Sequence, residues 1–151
     1  MKKLIIMSSL MVILLVIGIT PAIAVDLGSL NQTRTKHAVY SEDVTIEGID
    51  GQSYVDVTTT NGSITISGNI DGQSTVKLTA QNGSITVMGN IVGNSNVTLL
   101  TNGVIIINGN VASDATIVRY KAAGINIYGG TKGKATVETI KSVKPVSTPA
   151  N

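Results

Sequence analysis

The 151-residue chain is 42% apolar, with 16 Gly, four Tyr and one His, and it contains no Cys, Trp or Phe. Such a composition limits it to one small domain with a thin aliphatic core, because domains of this size ordinarily anchor their packing on several aromatic rings. The absence of Cys excludes a disulfide framework, a thiolate metal site, a Cys nucleophile and an acylated Cys, and the formal charge of +2 is too small to signal a polyanionic partner.

At the start of the chain, Lys2 and Lys3 precede an apolar run over residues 4–19, followed by Pro21 and Ala22-Ile23-Ala24. A basic flank, an apolar stretch and a small-residue A-x-A site make a secretory signal peptide over residues 1–24, with cleavage before Val25. Pro21 breaks the apolar helix just before the small residues; the alternative is an uncleaved membrane anchor. Export to the periplasm, the cell surface or the medium is expected. After cleavage nine basic and nine acidic residues remain, with no Lys/Arg stripe interleaved with aromatics, so no nucleic-acid partner is expected.

Residues 25–43 are polar with weak periodicity and are expected to cap the open edge of the repeats that begin near residue 41. The one histidine, His37, falls in this segment, where a solvated or capping role is expected in place of a catalytic base.

From residue 41 to 142 the chain repeats. The segments beginning at Asn61-Gly62-Ser63-Ile64, Asn82-Gly83-Ser84-Ile85, Asn102-Gly103-Val104-Ile105 and Ala123-Gly124-Ile125 are spaced by 21, 20 and 21 residues, and the run from Val44 to Gly48 occupies the same place one period earlier. Each repeat holds short runs of period-two alternation, such as Ile64-Thr65-Ile66 and Val76-Lys77-Leu78, bounded by Gly and Asn; these are strands. The expected fold is all-β: a single-domain parallel β-helix, or β-solenoid, of about five 20–21-residue coils. An antiparallel meander is the alternative, since Asn-Gly also favours hairpins. A meander, however, gives no reason to keep one column glycine and another aliphatic, whereas a solenoid stacks identical positions directly. An outer-membrane barrel would need longer strands and aromatic girdles. Residues 143–151, with Pro145 and Pro149, read as a mobile tail.

Three aliphatic columns are expected to fill the core: Val44, Ile64, Ile85, Ile105 and Ile125; Ile46, Ile66, Val87, Ile107 and Ile127; Val55, Val76, Val97, Ile117 and Val137. Two glycine columns (Gly48, Gly68, Gly89, Gly109 and Gly129; Gly51, Gly72, Gly93 and Gly133, with Ser113 interrupting) read as corners of positive φ. Ser53, Ser74, Ser95, Ala115 and Ala135 form a small-residue column. Arg119 stands where a core Leu is expected, which points to a bulge in the fourth coil.

The stretch from Ser74 to Ile91, with Ala80-Gln81-Asn82-Gly83-Ser84-Ile85-Thr86-Val87-Met88-Gly89-Asn90 at its centre, resembles the repeats of filamentous-haemagglutinin-type adhesins and related bacterial putative-adhesin domains. The resemblance implies a β-helix displayed on a bacterial surface, covers about two thirds of the chain, and rests on architecture-bearing columns. The six-residue spacing of Ile64, Ile70 and Val76 also resembles hexapeptide acyltransferases, but the next interval is longer and no His lies within the coils.

Chemistry-bearing constellations are sparse. Asp50 and Asp71 share a column, with Glu47 and Asp56 nearby, yet Val92 and Ala112 follow, so a solvated acidic edge is favoured over an acid/base pair or a calcium site. Thr45, Thr65 and Thr86, with Thr75, Asn96, Thr116 and Thr136, resemble the hydroxyl rows of ice-binding solenoids, but Ile106 and Asn126 interrupt them, and β-branched Thr suits any exposed strand. No cofactor, metal or catalytic residue is assigned. In later coils the exposed face turns apolar, and Met88, Ile106, Val118, Tyr120 and Tyr128 make a candidate contact patch for a glycan, a cell-surface protein or a second copy. Residues 25–71 carry net charge −5 and residues 72–151 net +5, which suits end-to-end self-association. The expected role is structural or adhesive binding without catalysis; the competing class is an exported carbohydrate-active enzyme or glycan-binding module.

Overall fold

The computed structural model describes residues 24–113 and 116–140, with the backbone alone for residues 34–37. The signal segment up to residue 23, the tail over 143–151, Ala115 and the His37 side chain lie outside the described residues.

Sixteen strands form, and no helix occurs among the described residues. They fall into six rungs. The first holds β1 (Val25–Asp26), β2 (Ser29–Asn31) and β3 (Arg34–Tyr40), and the second β4 (Val44–Ile46), β5 (Gly48–Asp50) and β6 (Tyr54–Thr59). The third holds β7 (Ile64–Ile66) and β8 (Thr75–Ala80), and the fourth β9 (Ile85–Val87) and β10 (Asn96–Thr101). The fifth holds β11 (Val104–Ile107), β12 (Val111–Ala112) and β13 (Ile117–Lys121), and the sixth β14 (Gly124–Ile127), β15 (Thr131–Lys132) and β16 (Thr136–Thr139).

Every strand pairing among the described residues is parallel, which removes the meander. One wall runs β1-β4-β7-β9-β11-β14 and a second β3-β6-β8-β10-β13-β16, so the rungs stack in chain order. A third, narrow wall is made by β2 with β5, by single bridges through Ile49, Ile70, Ile91 and Val111, and by β12 with β15. The molecule is a β-solenoid of about five turns; at the usual strand spacing, its six rungs rise about 24 Å.

Alternation sends every second residue inward, and the columns Val44-Ile64-Ile85-Ile105, Ile46-Ile66-Val87-Ile107 and Ile49-Ile70-Ile91-Val111 are at most 1% exposed. Residues 25–43, expected as a cap, form a rung of their own: β1 pairs with β4, β2 with β5 and β3 with β6. A bulge between Thr35 and Ala38 interrupts the last of these pairings.

Both glycine columns approach the rung beneath too closely for a Cβ, and one of them adds a positive φ. Gly51, Gly72, Gly93 and Gly133 have φ of 70°, 73°, 74° and 69°, and their column mates Gln32 and Ser113 are held at 48° and 109°. The other column has no positive φ at any of its glycines; they are required because a rung lies directly beneath. A Cβ on Gly89 would sit 2.4 Å from the Gly68 carbonyl oxygen, and one on Gly109 2.3 Å from that of Gly89. Gly48 does not belong there. One residue is missing before Ile49, so Gly48 faces Asn69.

The fourth repeat also departs from the expected register. Thr116 lies five positions after Val111, where Ser95 lies four after Ile91, so Thr116 takes the place expected of Ala115 and Val118 the place expected of Ile117. Ser53, Ser74 and Ser95 close their corners by donating to the carbonyl three residues back, whereas Thr116 donates to Ala112, four back. Because strand periodicity is two, that added residue exchanges inside and outside along β13. Val118 is fully buried, Arg119 faces out opposite Thr98, and Tyr120 lies inward opposite Leu99. The bulge expected at Arg119 is therefore an inserted corner residue, compensated by a shorter turn before Ile125.

Candidate functional site

Three of the five residues of the expected patch lie together on the outer face of the β1-β4-β7-β9-β11-β14 wall. Met88 is 49% exposed, Tyr128 72%, and Ile106 partly so. Met88, Asn108 and Tyr128 occupy one column, since the Met88 N–H donates to Ile66 O, Asn108 to Val87 O and Tyr128 to Ile107 O. The Asn108 amide also donates to Met88 Sδ at 3.0 Å. Ile106 stands in the next column, above Thr86 and below Asn126.

Val118 and Tyr120 leave the patch. The register exchange along β13 buries the first completely and packs the second against the core on a different wall. Val104, 40% exposed, joins it instead. The sequence did carry that signal: Val104 aligns with Ser63 and Ser84, a polar and hence outward column. Gly124 pairs above Val104 and adds no side chain, leaving Val104 uncovered. The result is a row of Val104, Ile106, Met88 and Tyr128 on the fourth to sixth rungs, where the lower rungs present Ser63, Thr65, Glu47 and Ser67.

Among the described residues the carboxylates are spread over separate walls. Asp50 and Asp71 share a column as expected, but each turns an oxygen onto the next backbone N–H, Gly51 and Gly72 respectively, at 2.5 Å, bracing the glycine corner. Asp56 lies on the other broad wall and pairs with Lys77 at 3.6 Å. Further along the same column, Arg119 pairs with Glu138 at 3.5 Å and donates to Asn96 Oδ1 at 3.1 Å. The exposed Glu42 carboxyl is held below its ordinary range, chiefly by a hydrogen bond from the Ser41 side chain. No three His, Asp or Glu side chains converge as metal ligands among the described residues.

The hydroxyl rows are broken further than expected. Thr116 is buried, and Ile117 takes the outward place between Asn96 and Thr136. Asparagine ladders run along two corners instead: Asn110 and Asn90 each donate a backbone N–H to the Asn one rung earlier, at 2.8 Å in both cases. At the other corner, Asn82 and Asn102 donate their side-chain amides to Thr60 O and Gln81 O at 2.7 Å. These polar side chains are structural.

A shallow groove of about 190 Å³ runs beside Thr79, Leu100, Asn102 and Lys121 and holds no acid pair. The fold and surface thus define a parallel β-solenoid with one apolar outer row. No protein-family model matches the chain, and neither a curated protein nor a solved structure matches it.

Proposed function

We propose that this chain is an exported, adhesin-like β-solenoid of a bacterial cell envelope or its surroundings, acting by binding and without catalysis. The observation that carries the reading is the row of Val104, Ile106, Met88 and Tyr128 on a wall that is otherwise polar. A tyrosine at 72% exposure, in one column with the Met88 thioether across Asn108 and flanked by the column of Ile106, suits the apolar face of a sugar ring or a flat protein surface. Export is supported by the A-x-A pattern ending at Ala24, since β1 begins at the next residue and the Val25 N–H already donates to Asp43 O at 2.7 Å. Cleavage there would release a complete first rung.

Glycan arrays and cell-surface extracts probed with the purified chain test the reading. Tyr128→Ser and Met88→Ser are expected to weaken binding at least about tenfold while leaving the melting temperature unchanged, because both side chains project into solvent. Binding indifferent to both changes would remove the row from its role. Release of sugar products, lost in Asp50→Ala or Asp71→Ala, would favour the carbohydrate-active enzyme. The processing step is checked by intact mass in the exporting host, expected to start at Val25.

A further inference from the structure

We propose that the two ends of this solenoid are complementary, and that a second copy seats its first rung on the last rung of the first, extending the stack head to tail. This goes beyond the binding reading and does not depend on it.

The edges of a parallel stack are unlike each other. In the wall that begins with β1, alternate residues bond forward and the others backward: Val25 N donates to Asp43 O, Leu27 N to Thr45 O and Val44 N to Ser63 O, while Ser67 N reaches back to Ile46 O and Tyr128 N to Ile107 O. Ile125 and Ile127 occupy the places of Val44 and Ile46, the places that bond forward, and among the described residues no strand lies beyond β14, β15 or β16. Asp26 occupies the place of Thr45 and Thr65, which bonds backward, and no described strand precedes β1. The last rung therefore offers the donors and acceptors that the first rung needs, in the register every interior rung already uses.

The apolar columns agree. Ile125, Ile127, Ala135 and Val137 are only partly buried, although Ile105, Ile107 and Val118 directly beneath the isoleucines and the valine are fully buried. Val25 and Leu27 at the other end are likewise partly buried, beneath a column mate at 1% or less in each case. One more rung at either end would complete the core.

Charge selects the partner. Because strand order follows chain order, the −5 of residues 25–71 is separated along the axis from the five basic residues and one acidic residue described over 72–113 and 116–140, net +4. Asp26 is exposed on the first rung, Glu42 and Asp43 at the turn that opens the second, and Lys132 and Lys134 on the last. Joining like ends would oppose like charges and would also turn parallel strands antiparallel, whereas head-to-tail contact satisfies both. Such a heterologous contact does not close, so it grows into a filament.

The test is sedimentation velocity on the chain as its host processes it, across protein concentration, at about 0.05 M and about 0.5 M salt. A ladder of species is expected at low salt, with association weakened roughly tenfold at high salt. Two variants block one end each. Asp26→Pro removes an edge donor from the first rung, and Ile127→Pro one from the last, and neither N–H serves the interior ladder. Each variant alone is expected to be monomeric, and an equimolar mixture to give dimers and nothing longer, with both melting within a few degrees of the parent. Since either proline could disturb its rung, Lys132→Glu combined with Lys134→Glu provides a second check and is expected to weaken assembly with no loss of folding. A parent that stays monomeric at low salt and high concentration would overturn the proposal. So would dimers formed by either proline variant alone, which would mean joining of like ends, or assembly that begins only when residues 141–151 are removed, which would assign the last rung to the chain's own tail.

Discussion

At the scale of single residues, glycine marks two distinct physical demands that look identical in the sequence. Gly72 and Gly93 supply positive φ at a corner as well as room for the rung below, while Gly89 supplies the room alone. Repetition exposed both columns, but not their causes, because a letter that recurs every 20 residues records a constraint without its kind. Gly89→Ala would drive a Cβ to 2.4 Å from Gly68 O, and it should destabilise the chain by about 1–3 kcal/mol in urea unfolding. At Gly124 a Cβ meets nothing within 4 Å and φ is not positive, so Gly124→Ala should be neutral or stabilising by about 0.4–1 kcal/mol. Ser113, held at φ 109° in the other column, is the converse case: Ser113→Gly should relieve strain and gain on the order of 1 kcal/mol.

At the scale of a strand, β13 shows why alternation can be read correctly and still be placed one residue out. The added residue between Val111 and Thr116 is offset by a shorter turn before Ile125, so Ile105 and Ile125 remain 20 apart and the period hides the exchange. The misfit of Arg119 was the visible trace of it, since the expected register put a guanidinium in an inward, aliphatic column. Two of the five expected patch residues, Val118 and Tyr120, were misplaced for this reason alone; Met88, Ile106 and Tyr128 lie on the wall that the shift does not reach. The register has a sharp test. Val118→Asp should unfold the chain, because an unpaired buried carboxylate costs several kcal/mol, whereas Ile117→Asp, on the outward side between Asn96 and Thr136, should melt within a few degrees of the parent. Thermal unfolding followed by circular dichroism reads both, and the reverse order of effects would restore the simpler alignment.

For the whole molecule, the legible part was whatever repeats: the parallel stack, the inward columns and the corners. The two ends were not legible, because they break the repeat. The segment over residues 25–43 has Val25, Leu27 and Leu30 in the inward columns but little else that matches its neighbours, and a bulge at Lys36–His37 disguises its last strand. The apolar outer row was legible only as a loss of Thr and Ser from outward positions, a weak signal in a short chain. Stability in such a stack is a sum over neighbours. The half-covered rung of β14, β15 and β16 should therefore exchange its amide hydrogens fastest and the interior β8 and β9 slowest, and uniform protection from end to end would contradict that ordering.

The in-register pairing of Ile64 with Ile85 and of Leu78 with Leu99 also makes length an adjustable property of this molecule. Residues 64–84 are a self-contained unit whose end joins its own beginning as well as it joins Ile85, so a tandem duplication of those residues should fold into a rod taller by about 4.8 Å. Its doubled Lys77 would cost only a few tenths of a kcal/mol at an exposed position, against the gain from another fully covered isoleucine layer. Small-angle scattering would measure the added height. A protein built this way works as a ruler: the reach of anything carried on its upper rungs is set by counting units, and can be changed without redesigning any contact.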